Sequence, residues 1–146
     1  MNDVVDSVLL AFKNKAKRKN INIRFERSTE INVKADIQAV ERILNNLLDN
    51  AFKYSPDDSE VEIKIRKQGE FVKISVLDSG EGVSDEDQRL VFKRFYRTAT
   101  ARAHTQQGSG LGLAIVRNLV NNLQGEVGVD SRQGDGSEFW FTLPAS

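Results

Sequence analysis

The chain has no cysteine, one histidine (His104), two prolines, one tryptophan and one methionine. Without cysteine there is no disulfide, no thiolate metal site and no cysteine nucleophile. A lone histidine leaves a zinc cluster short of ligands. An excess of one charge is missing too: 21 Lys and Arg balance 21 Asp and Glu. A protein whose main partner is nucleic acid usually carries a strong basic excess, so that partner is not expected. No apolar run is long enough to span a bilayer, and no signal peptide opens the chain. What is present is globular in kind: 146 residues, 39% hydrophobic and 29% charged, suit a single domain over 1–146 with a real core. The expectation is a soluble, cytoplasmic domain.

Residues 3–18 carry Val4, Val5, Val8, Leu9, Phe12 and Ala16 at helical spacing. Asn2 or Asp3 could cap that helix. Lys13, Lys15, Lys17, Arg18 and Lys19 crowd its end, a pattern better explained by the negative helix C-terminus than by nucleic acid. Ile21, Ile23 and Phe25 alternate as in a strand, and 31–35 could form a second short one. Asp36 is placed to cap a helix over 36–54, with Val40, Ile43, Leu44, Leu47, Leu48 and Ala51 as its apolar stripe. Glu60–Lys67 and Phe71–Leu77 alternate on either side of Gln68-Gly69-Glu70 and predict a hairpin. Ser84 reads as a further N-cap, and 98–107 lack periodicity and read as a candidate lid. His104 sits there, as an exposed loop residue rather than a phosphoacceptor or ligand. A helix to about Leu123 follows, then strands at 126–131 and 137–143 around a turn. Trp140 reads as packing rather than ligand stacking.

Three stretches carry chemistry. At about 100° per residue, Asn46, Asn50 and Lys53 fall within roughly 60° of one another, opposite the apolar stripe. Asn is a poor helix former. Carboxamide oxygens with an ammonium nearby suit a magnesium–phosphate group, although a solvated polar face is the plainer alternative. Asp78-Ser79-Gly80-Glu81-Gly82 puts a carboxylate at a strand end, before glycines that admit a planar ring closely. An acidic turn would look the same. Gly108-Ser109-Gly110-Leu111-Gly112-Leu113 opens a helix, where unpaired N–H groups and the positive dipole end favour phosphate. A glycine-rich turn closing the helix onto a sheet is equally compatible. The run is neither a dinucleotide fingerprint nor a Walker loop.

In this order, with Phe92 and Phe95 between the last two, the stretches resemble the ATP-binding domain of sensor histidine kinases, within the superfamily that includes gyrase and the heat-shock chaperone ATPases. Asn46–Ser55 resembles the N box, Asp78–Gly82 the G1 box, Phe92–Phe95 the F box and Gly108–Leu113 the G2 box. The resemblance implies an α/β (α+β) two-layer sandwich of the Bergerat type: a mixed sheet with helices on one face, and ATP between helices and lid. It implies that Asn50 binds Mg²⁺, that Asn46 contacts metal or phosphates, that Lys53 meets phosphate and that Tyr54 lines the nucleotide site. Asp78 would accept from the adenine amine. Gly80, Gly82, Gly108, Gly110 and Gly112, with Phe95, Leu111 and Leu113, would shape the pocket, and Arg97 and Arg102 are lid candidates for phosphate contact.

Hydrolytic members of the superfamily carry a Glu four residues before the metal-binding Asn. Here that position is Asn46, an amide without useful basicity. The γ-phosphate is therefore expected to go to another nucleophile: a histidine on a separate dimerisation domain of the same parent kinase, with a response regulator served indirectly. No phosphoacceptor segment precedes Asp3, so a monomeric fragment with little turnover of its own is expected. Membrane anchorage of the parent stays open. A serine kinase of the anti-sigma-factor type and a docking module without transfer are the alternatives.

Overall fold

The computed structural model describes residues 1–26, 31–80, 92, 112–131 and 136–146. Along the chain come α1 (Asn2–Lys19), β1 (Asn22–Phe25), α2 (Ile37–Tyr54), β2 (Glu60–Gln68), β3 (Phe71–Asp78), α3 (Gly112–Asn122), β4 (Val127–Ser131) and β5 (Ser137–Pro144). The strands form one five-stranded sheet in the order β1-β2-β3-β5-β4. β1 runs parallel to β2, with α2 as the crossover; the other neighbours are antiparallel. The sheet is mixed, as expected.

The two-residue period of the strands decides which face is covered. Val61, Ile63 and Ile65 of β2, Val72, Ile74 and Val76 of β3, and Phe139, Phe141 and Leu143 of β5 are buried on the same face, in one cluster with the helices. α1 contributes Val5, Val8, Phe12 and Ala16; α2 contributes Val40, Ile43, Leu44, Leu47, Leu48, Ala51 and Phe52; α3 contributes Val116 and Val120. Phe12 and Phe52 stack with centroids 5.3 Å apart and fix α1 on α2. Phe92 meets Phe139 edge-on at 6.3 Å. Trp140 faces the opposite side of the sheet, where Lys73 Nζ lies 4.9 Å from its ring centroid. It packs, as its sequence context suggested.

Two local expectations are corrected. Neither Asn2 nor Asp3 caps α1: both lie inside the helix, Met1 occupies the cap position, and no side chain bonds there. Residues 31–35 form no strand, only an isolated bridge from Val33 to Ala145. Asp36 does cap α2, its Oδ1 accepting from Gln38 N at 3.1 Å. Asp36→Ala should therefore cost about 1 kcal/mol, read as a small fall in thermal midpoint without loss of helix content at room temperature.

Candidate functional site

Asp78 ends the apolar stripe Val72-Ile74-Val76 on the covered face of β3, and Ser137 stands opposite it in the register with β5. The strand period thus carries a carboxylate to the rim of the core. Burial pushes its carboxyl above the usual carboxylate range. Two backbone bonds oppose that rise, from Gly80 N at 3.0 Å and Ser137 N at 3.2 Å. Both reach Oδ1. Among the described residues no donor reaches Oδ2, and a carboxylate oxygen in that state can accept from an incoming donor.

The C-terminus of α2 abuts this loop. Gly80 is buried against it: a Cβ there would stand 2.7 Å from Tyr54 O, so only glycine permits the approach. Ser55 is 2% exposed, and its Oγ accepts from Ser79 N at 3.3 Å. At the other end of the site, Asn46 Nδ2 donates to Arg42 O at 2.9 Å, which fixes the amide. Its Oδ1 faces the start of α3, 3.4 Å from where a Cβ of Gly112 would be. Leu113 is half-buried against the core beside it. α2 thus brings Asn46 to the first turn of α3 and Tyr54 to the Asp78 loop, with Asn50 one turn from either.

Lys53 Nζ lies 3.1 Å from Asp49 Oδ2, and Lys15 Nζ lies 3.1 Å from Asp49 Oδ1. Burial raises the Asp49 carboxyl, but the hydrogen bonds and charges of Lys53 and Lys15 outweigh it and hold the group below its ordinary value. Such half-exposed pairs contribute little to stability. Gly82, Phe95, Arg97, Arg102, Gly108, Gly110 and Leu111 lie outside the described residues, as do Ser84, the 98–107 stretch and His104.

Four supporting residues escaped the sequence reading. Gly136 (φ 88°) and Ser137 read in sequence only as the edge of a turn and the start of a strand, yet Ser137 N holds Asp78 Oδ1 and Gly136 passes close behind Asp78 O. Ser55 closes the stretch that resembles the N box, with no role assigned to it. Lys19 belonged to a basic cluster assigned to its own helix end, whereas its ammonium donates to Phe52 O at 2.6 Å and Ser55 O at 2.7 Å of α2. The Asp78–Ser137 pairing would have been readable had the β3–β5 adjacency been known.

These features define a two-layer α/β domain whose candidate site lies between α2, the end of β3 and the start of α3. Residues 35–146 match the model of the family described as histidine kinase-, DNA gyrase B- and HSP90-like ATPase, and the chain belongs to that family. ATP is accordingly its nucleotide. The chain is 39% identical over 142 residues to the sensor-like histidine kinase SenX3 of Mycobacterium tuberculosis, covering 97% of this chain and 35% of that protein. It thus spans about a third of that relative's length. Among solved structures, the mycobacterial sensor histidine kinase MprB superposes with a TM-score of 0.86 at 32% identity, over 99% of this chain and 95% of that one. Full-length ShkA, solved in complex with AMPPNP, gives 0.85 at 30% identity, over 99% of this chain and 30% of that one. Among the described residues, no helix is long and apolar enough to cross a membrane.

Proposed function

We propose that the chain is the catalytic domain of a sensor histidine kinase: it holds Mg-ATP and donates the γ-phosphate to a histidine on a dimerisation domain of the parent protein, from which a response regulator is served. The observation that carries this reading is Asp78, a rim-of-core carboxylate with one oxygen fixed by two backbone N–H groups and the other without a donor among the described residues. Asp78 Oδ2 would take the adenine amine. Tyr54 would line the base, while Asn46 and the start of α3 would face the phosphates. Lys53 would exchange its Asp49 partner for a phosphate oxygen.

The donor set suits magnesium. Among the described residues, no three His, Cys, Asp or Glu side chains converge as an all-protein metal site would need. Mg²⁺ typically uses one or two protein oxygens and completes its shell from phosphate and water. Asn50 would offer such an oxygen, from its place on α2 one turn after Asn46. When bound, the metal neutralises the triphosphate charge. Asn46 supplies no base for water, and its amide is already committed to Arg42 O. That favours holding ATP for transfer over hydrolysing it.

The test is to supply labelled ATP and the parent's histidine-bearing dimerisation domain to this chain. Acid-labile label on that domain is the expected result. Acid-stable label would make the chain a serine kinase, and ATP binding without any transfer would leave a docking module. In calorimetry, chelating magnesium should weaken ATP binding by about tenfold in the natural sequence. Asn50→Ala should sit at the weakened level with or without chelator.

A further inference from the structure

We propose that Lys19 is a positioning residue for the base-binding end of the site, acting through the C-terminus of α2; this rests on the ATP reading above. A helix ends with carbonyls that lack intrahelical donors and with partial negative charge. In α2, Ala51 O takes Ser55 N. The ammonium of Lys19, from α1, takes both Phe52 O and Ser55 O, at 2.6 and 2.7 Å.

Lys19 is itself held in place. α1 ends in Asn20 with φ 51°, Asn20 Nδ2 donates to Asp58 Oδ1 at 2.6 Å, and Asp58 N donates to Lys19 O at 2.9 Å. The ammonium is thereby fixed between α1 and the turn that follows α2. Two features of that helix end bear on Asp78. Ser55 Oγ receives Ser79 N, and the Tyr54 carbonyl is the surface against which Gly80 rests. Gly80 N in turn orients Asp78 Oδ1. The contacts run unbroken from Lys19 through Ser55, Ser79 and Gly80 to the carboxylate. Without the cation, two carbonyls in a half-buried junction lose their donor, the last turn of α2 loosens, and the Asp78 loop loses its support.

The experiment titrates ATP, ADP and GTP into the natural sequence, Lys19→Met, Lys19→Arg and Ser55→Ala by calorimetry, beside thermal melts. In Lys19→Met, ATP and ADP should weaken together by about fivefold, because the defect lies at the base and not at the phosphates. The preference for ATP over GTP should narrow with them. Lys19→Arg keeps the charge and the donors and should restore both. Ser55→Ala should show the same narrowing with Lys19 intact, and decides the matter should Lys19→Met fail to fold. A lowered melting point with unchanged ATP affinity and base preference would reduce Lys19 to a helix cap and overturn the proposal. A folded natural sequence that binds no ATP would overturn the kinase reading and this inference together.

Discussion

Asp78→Asn should lower ATP affinity by about 10- to 150-fold, the range expected for losing a hydrogen bond to a charged acceptor, while the domain stays folded. The substitution separates two roles of one side chain. Oδ1 is claimed by the N–H groups of Gly80 and Ser137. In the variant the amide oxygen must stay there, which places the amide NH2 where Oδ2 was. A donor then faces the adenine amine, itself a donor. Guanine presents a carbonyl at the same ring position, so the balance should shift toward GTP. Competition between the two nucleotides in a single titration would show it, and an unchanged ATP preference would remove Asp78 from base recognition.

The same variant has a pH signature of definite sign. Burial raises the Asp78 carboxyl above the usual range despite its two N–H bonds. The folded state therefore keeps the proton to higher pH than the unfolded chain does. Relative to Asp78→Asn, the stability of the natural sequence is fully present below the unfolded carboxyl value. It falls as pH climbs from there through the raised folded value. Paired melts from about pH 3 to about pH 7 should show the natural sequence losing ground to the variant. An opposite trend would mean that the two N–H bonds outweigh burial.

The positions of the candidate site's described residues were legible in the sequence because they follow local periodicities. The 3.6-residue period placed Asn46 and Asn50 on α2 away from the core stripe, and Asp36 marked where that helix starts. The two-residue period set the faces of β3 and β5, and with them the end position of Asp78. What escaped depends on pairings between distant segments. Lys19 belongs to a cluster whose nearest helix end in sequence is that of α1. Its actual acceptors lie more than thirty residues away on α2, brought there by the Phe12–Phe52 stack. The expected strand at 31–35 failed for a related reason: Val33 finds only Ala145 as a bridge partner, too little for a ladder. Asn2 and Asp3 have capping side chains, but α1 already includes both, so the helix starts without them.

Gly136→Ala should destabilise the domain by about 3 kcal/mol and lower its melting point by about 10 °C. It should also weaken ATP binding. Two separate costs combine. The residue has φ 88°, which an L side chain rarely adopts, and a Cβ there would stand 2.3 Å from Asp78 O. Backbone strain alone is worth about 1 kcal/mol. The clash adds to it because the obstacle is a strand carbonyl, which cannot rotate away as a side chain could. The only relief is to move residue 136 off β3, and that draws Ser137 N away from Asp78 Oδ1. Gly69→Ala isolates the first cost: Gly69 also has positive φ, 61°, but a Cβ there meets nothing within 4 Å. It should lose about 1 kcal/mol and bind ATP normally. If both variants lost stability equally and both bound ATP normally, the Gly136 contact would not be what holds Asp78 in place. If only Gly136→Ala lost affinity, the close passage of β5 behind Asp78 would be part of how the site reads its base.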